Sequence, residues 1–178
     1  MVTGTNSEVV DQFFVSRESF SITNLGHASK FLGMRIEYRK GFGYKLYQEE
    51  AINDLLRDFG LEDANTTLVP IMSDYYELQS LDEKLLDQVA DRGKSSIKNF
   101  QSLVGTMLWI ARCSRPEIAF GVHKATRQTH KPRLYDWKVA KRVARYLNGT
   151  RTFKLAIKNM VKDSSLFEIT SFSDADFV

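Results

Sequence analysis

The segment FQSLVGTMLWIARCSRPEIAFGV, residues 100 to 122, decides how the rest of the chain is read. Phe100, Leu103, Val104, Met107, Leu108 and Ala111 recur at i, i+3, i+4, i+7, i+8 and i+11. That is the period of one face of an α-helix, so the stretch predicts an amphipathic helix with one side against a core. Arg115-Pro116 ends it, because proline has no amide hydrogen to donate and pushes its predecessor out of the helical region. Pro116 itself suits the first turn of another helix, which runs to about residue 128.

Downstream, LYDWKVAKRVARYLNG at 134 to 149 carries two stripes. Ala140, Val143, Ala144 and Leu147 share one face. Lys138, Lys141, Arg142 and Arg145 repeat the same spacing two residues out of step, so they point nearly the opposite way. Gly149 is placed to cap this helix, and residues 153 to 157 and 167 to 172 read as strands. Upstream, Ile52, Leu55, Leu56 and Phe59 form one helical face that Gly60 can close in a left-handed conformation. The run FLGMRIEYRKGFGYKLYQ predicts a hairpin in which 31 to 38 pairs with 44 to 48 around Gly41-Phe42-Gly43. Thr5-Asn6-Ser7-Glu8 has capping-box spacing, and Val9, Val10, Phe13 and Phe14 then predict a first helix over 6 to 16 with its apolar stripe facing the core. Between these elements, residues 73 to 98 are polar and acid-rich, which predicts a surface excursion with at most one short helix behind Ser80-Leu81-Asp82-Glu83.

With 43% hydrophobic and 12% aromatic residues among 178, the chain can bury a sizeable core. It has neither an apolar run approaching the roughly 20 residues of a membrane span nor a secretory leader, so a cytoplasmic protein without a membrane partner is expected. Cys113 stands alone, which rules out an internal disulfide, and His27, His123 and His130 show no ligand spacing. The net charge of +3 conceals a segregation: residues 112 to 154 hold twelve Lys and Arg against Glu117 and Asp136, near +10, leaving about −7 elsewhere. A polyanion is a natural partner for such a region. Phosphate-cradling glycine loops, nucleophile elbows and His-Glu-x-x-His are absent. Asp174 and Asp176, two apart after an apolar strand, would put two carboxylates on one side, a geometry that suits a hard divalent cation.

Taken together, four ordered motifs resemble the Pol polyprotein of copia-type LTR retrotransposons over nearly the whole chain. FLGMRIEYRKGFGYKLYQEEAINDLLRDFGL is similar to the family's F-L-G, strand, turn, strand ending in Gln, and L-L-rich helix. FQSLVGTMLWIARCSRPEIAFGV resembles Y-x-x-x-V-G-x-L-x-Y-L followed by T-R-P-D-I, and DWKVAKRVARYLNGT resembles H-W-x-A-x-K-R-V-L-R-Y-L-K-G-T. FSDADF is similar to the Y-S-D-A-D-W that opens RNase H. Departures fall at Ser114 and Glu117, at Asp136 for histidine, Asn148 for lysine and Phe177 for tryptophan.

The resemblance implies an α+β fold: a β-hairpin, a helical thumb-like bundle, a connection region and the first strand of a truncated RNase H-like sheet. Residues 1 to 70 would close the reverse-transcriptase palm and start the thumb, 71 to 98 form a variable acidic loop, 99 to 150 supply thumb and connection helices, and 151 to 178 run into RNase H. Phe31, Leu32 and Gly33 match the primer grip, and the stripe of Lys138, Lys141, Arg142 and Arg145 falls in the connection region. Asp174 matches the first metal-binding, catalytic carboxylate of RNase H, which in the complete enzyme works with Mg2+. The polymerase's Y-x-D-D would precede Met1, so the chain alone is expected to be inactive and to need no cofactor. Its expected partners are an RNA/DNA hybrid or primer-template, held through residues 112 to 154, and the remaining polyprotein domains. The alternative is an independent nucleic-acid-binding or protein-interaction module derived from such an element.

Overall fold

The computed structural model describes residues 2, 6–20, 22, 26–71 and 84–158. Its element order is α1 (Ser7–Val15), a 3-10 turn (Glu18–Phe20), β1 (Lys30–Phe31), β2 (Met34–Arg39), β3 (Gly43–Tyr47), α2 (Glu49–Asp58), α3 (Ile97–Cys113), a second 3-10 turn (Pro116–Ile118), α4 (Ala119–Thr126), α5 (Leu134–Gly149) and β4 (Leu155–Ile157). The four strands make one antiparallel sheet in the order β1-β2-β3-β4.

The core belongs to the helices. Ile52, Leu55 and Leu56 of α2, Phe100, Leu103, Val104, Met107 and Ile110 of α3, Val122 of α4, and Ala140, Val143, Ala144 and Leu147 of α5 are buried in one cluster. Every residue expected from the α5 wheel is in it. On α3, Ile110 is fully buried although it lies off the stripe read from sequence, and Leu108 is only partly buried. The reason is position: α3 touches α2, α4 and α5, so more than one of its faces is covered. Helix α2 ends in a Schellman arrangement, with Gly60 at φ +62, its amide donating to the Arg57 carbonyl and the Leu61 amide to the Leu56 carbonyl.

The sheet stands beside this bundle, and none of its described residues is buried. One face carries Met34, Ile36, Tyr38, Tyr44, Leu46, Leu155 and Ile157, placed together by the pairs Ile36↔Leu46, Tyr38↔Tyr44, Leu46↔Leu155 and Tyr44↔Ile157. The expected hairpin between β2 and β3 is present, with Arg39↔Gly43 closing a three-residue loop. Its first strand, however, begins at Met34 rather than Phe31. Leu32 (φ +48) and Gly33 (φ +78) are both left-handed and form a two-residue turn that folds β1 back on β2, with Phe31↔Met34 as the closing pair. The strand after α5 joins this same sheet by pairing with β3.

Three further expectations need correction. Helix α1 forms, capped by Asn6 accepting the Glu8 amide at 2.8 Å, but no residue of it is buried and Val9 is 60% exposed. Its apolar stripe therefore does not face this core. The excursion at 71 to 98 is pinned along its second half: Leu86 is buried, the Leu86 amide donates to the Pro132 carbonyl, and the Leu134 amide donates to the Lys84 carbonyl. Ser96, fully buried, caps α3 by accepting the Asn99 amide, whose own side-chain amide donates to the carbonyls of Asp91 and Lys94. The box at Ser80 lies outside the described residues, as does the expected strand over 167 to 172. Finally, Gly149 is not a left-handed cap. It is the last residue of α5, and a β-carbon there would stand 3.0 Å from Cβ of Thr66. Glycine leaves room there for another segment to pass close by.

Candidate nucleic-acid interface

The basic face of α5 is held in place by what lies behind it. Ala140, Val143, Ala144 and Leu147 have no exposed surface, so the helix cannot roll, and Lys138, Lys141, Arg142 and Arg145 are directed away from the core. At the start of the helix the buried Asp136 carboxylate accepts the Arg133 amide at 2.7 Å, a role a carboxylate at this position performs well near a helix N-terminus. The face is not simply solvated. Lys138 is exposed, but Lys141, Arg142 and Arg145 are half-buried, and the Lys141 ammonium sits 5.8 Å from the centre of the Trp137 ring.

Part of that cover is the chain after α2. Asn148 donates its side-chain amide to the carbonyls of Leu61, Glu62 and Ala64 at 3.1 to 3.2 Å, Thr66 passes over Gly149, and the Thr67 hydroxyl donates to the Arg142 carbonyl at 3.4 Å. Residues 61 to 67 thus form a strap across the last two turns of α5. Asn148, which replaces the family's lysine, ties the strap down rather than facing solvent.

Phe31, Leu32 and Gly33 stand on a different element. Their turn is seated on α3, because the Trp109 ring occupies the space a Gly33 side chain would need, with Cη2 and Cζ2 2.8 Å from an ideal β-carbon. Leu32 projects from the turn at 71% exposure in a backbone conformation that costs a non-glycine residue about 1–2 kcal/mol. The structure therefore gives the F-L-G motif a rigid seat and leaves its leucine outermost. Asp174, the candidate metal-binding and catalytic residue, and its neighbour Asp176 lie outside the described residues.

Several residues that periodicity does not single out hold the helices together. Arg115 is 1% exposed, yet all three of its guanidinium nitrogens have acceptors: Nε donates to Glu117 at 2.6 Å, Nη1 to the Thr150 carbonyl at 2.9 Å, and Nη2 to the Thr150 hydroxyl. The rings of Tyr146 and Phe153 flank it at 5.9 and 5.5 Å. Next to it the Ser114 hydroxyl donates to the buried side-chain carbonyl of Gln48 at 2.8 Å, joining the end of α3 to the residue that follows β3. In sequence, Arg115-Pro116 shows only a helix break. On the polar side of the sheet, Arg35 and Lys30 both bind Glu50 and hold its carboxyl below the usual range. Lys154, with help from the Tyr47 hydroxyl, does the same to Glu37.

Known proteins bear on this arrangement. The chain is 28% identical over 178 residues to an uncharacterized mitochondrial protein of Arabidopsis thaliana, covering 99% of this chain and 68% of that one. It is 30% identical over 135 residues, 75% of its length, to the retrovirus-related Pol polyprotein from transposon TNT 1-94 of Nicotiana tabacum. This chain is a homologue of copia-type retrotransposon Pol polyproteins. A putative transposon Ty5-1 protein of Saccharomyces cerevisiae is 26% identical over 156 residues, 88% of this chain and 46% of that protein. The Pol homologue spans only 10% of the tobacco polyprotein's length. No family model and no solved structure matches it. Among the described residues no helix is long and apolar enough to cross a membrane, and no group of three or more His, Cys, Asp or Glu side chains could hold a metal ion.

Proposed function

We propose that this Pol homologue corresponds to the thumb and connection part of a reverse transcriptase, and that it positions an RNA/DNA hybrid or primer-template rather than carrying out chemistry. The observation that carries this reading is the outer face of α5, where Lys138, Lys141, Arg142 and Arg145 line one side of a helix whose opposite side is locked in the core. Phosphates along a duplex repeat regularly, so a fixed row of cations can neutralise several of them without reading bases. The left-handed, outermost Leu32 on its Trp109 seat supports a second contact, of the kind expected of a primer grip. Residues 1 to 178 contain no Y-x-D-D, and primer extension by the chain alone is expected to be absent.

The test is binding of a labelled RNA/DNA hybrid over a range of salt. Affinity should fall with salt, with a log–log slope of roughly 0.9 per phosphate contacted on B-form DNA and a similar value here. K138A/K141A should lower that slope with helix content unchanged. A slope near zero, or one indifferent to these lysines, would refute the reading. A second reading is favoured by α1, whose Val9 and Phe13, one turn apart on the same face, are both exposed. Such a face fits docking against the remaining polyprotein domains, and a chain that binds protein but no hybrid would promote it.

A further inference from the structure

Arg142, Arg145 and Gly149 follow one another at i, i+3 and i+7, so they share one side of α5. The strap of residues 61 to 67 crosses that side at Gly149 and is bonded to the Arg142 carbonyl. On the same side of the helix the Nε atoms of both arginines are cut off from solvent and meet no acceptor. Neither guanidinium makes an ion pair among the described residues. The contrast is Arg115, which is more deeply enclosed yet has an acceptor for every nitrogen. A charged donor withheld from water without an acceptor is unfavourable, and two of them side by side are more so.

Among the described residues no acceptor meets either Nε atom, and Glu62 of the strap lies 3.8 Å from Arg57 instead. Residues 112 to 154 contain two acids, of which Glu117 is bonded to Arg115 and Asp136 to the Arg133 amide. We infer that Arg142 and Arg145 together anchor a single phosphate of a nucleic-acid backbone at the edge of the strap, the phosphate oxygens accepting from the Nε edges that the protein leaves unmatched. This rests on the reading that the outer face of α5 meets nucleic acid, and adds where one phosphate is gripped and by what chemistry. Arginine suits the task because its planar fork presents Nε and one Nη in parallel to two oxygens, which a lysine ammonium cannot do. Both side chains are half-exposed, so turning the guanidinium plane brings the Nε edge to an incoming oxygen while the strap keeps the stems in place. Lys138 and Lys141, further along the face, then act as point charges on neighbouring phosphates.

Two measurements on the full chain test this. In the first, the Nε–Hε proton–nitrogen resonances of Arg142 and Arg145, assigned from R142K and R145K, are followed as inorganic phosphate is added at constant ionic strength. Both should shift with one shared, saturating midpoint, and each single Lys variant should abolish saturation at the remaining arginine. In the second, hybrid binding by R142K/R145K should weaken roughly tenfold while its salt slope stays close to that of the parent chain, because charge is kept and only the fork is lost. Non-saturating shifts, unrelated midpoints for the two arginines, or full hybrid affinity in R142K/R145K would overturn the anchor. If phosphate has no effect but hybrid binding still depends on Lys138 and Lys141, the anchor falls and the general reading of the face stands. If phosphate saturates but no hybrid binds, the two arginines share a phosphate site, and both its assignment to a nucleic-acid backbone and the nucleic-acid reading are overturned.

Discussion

Replacing Arg115 by alanine should unfold much of the advantage that α5 gains from its junction with α3 and α4. The side chain is 1% exposed, and two of its three hydrogen bonds tie the Pro116 corner to Thr150 at the end of α5, the third going to Glu117. Bonds to a charged group contribute about 1.5–3 kcal/mol each, and removing one member of a buried pair costs about 3–5 kcal/mol. The Glu117 carboxylate is 39% exposed, so water reclaims it when the arginine is gone and its share is nearer ~1 kcal/mol. The Thr150 carbonyl and hydroxyl, together with the two flanking rings, account for most of the remainder. R115A is therefore expected to lose about 3–4 kcal/mol, a large part of the ~5–15 kcal/mol that holds a domain of this kind. E117A should lose only about 1 kcal/mol, since Thr150 continues to satisfy two of the three nitrogens. Urea unfolding followed by the fluorescence of Trp109 and Trp137 measures both, from the shift in midpoint at unchanged m. A shift in R115A equivalent to less than ~1 kcal/mol, or one equal to that of E117A, would refute the claim that Thr150 is the principal partner.

Other consequences are open to the same measurement. G33A should destabilise by about 1–3 kcal/mol, because it meets both a left-handed backbone and the Trp109 ring; a W109A background should recover the part due to the ring and leave the part due to φ. N148A should cost about 1–3 kcal/mol and free the strap, read as faster amide exchange over residues 61 to 67. The carboxyls of Glu37 and Glu50 are lowered by Lys154 and Arg35 respectively, so their contribution is present above the ordinary glutamate range and is lost as pH falls through their depressed folded values. E37Q/E50Q should accordingly flatten the acid limb of a stability–pH curve, and an acid limb identical to the parent's would show that these pairs contribute nothing.

The helices are legible in the sequence because burial on one side writes itself as a period, and α2, α3 and α5 form where the apolar stripes at 52 to 59, 100 to 111 and 140 to 147 place them. What periodicity misses are polar residues buried by partners far along the chain. Arg115, Gln48 and Asn148 look like surface by type, and only Thr150, Ser114 and the carbonyls of 61 to 64 make them interior. The Leu32-Gly33 turn hides for another reason: leucine is not a residue that announces a positive φ, so an F-L-G run reads as the start of a strand. Helix α1 shows the opposite limit, since an amphipathic pattern reveals that a face favours cover and not what provides it. At the candidate interface, the four basic positions are visible from the wheel, whereas the strap that crosses the helix between Arg142 and Gly149 depends on a crossing no local pattern encodes.

Strand β4 has a bearing on how the chain reaches this fold. Tyr44 pairs with Ile157 and Leu46 with Leu155, partners more than a hundred positions apart, whereas β1, β2 and β3 are joined by short turns. A ribosome would release the hairpin and α2 long before their last strand exists, and the edge of β3 would wait unpaired meanwhile. Closing so long a loop is entropically unfavourable unless something shortens it, and the assembled helices do so by bringing Thr150 and Phe153 back beside Arg115. The order of events is then helices first and sheet last, so slow maturation and vulnerability to strand-mediated aggregation should both be governed by how quickly the bundle docks.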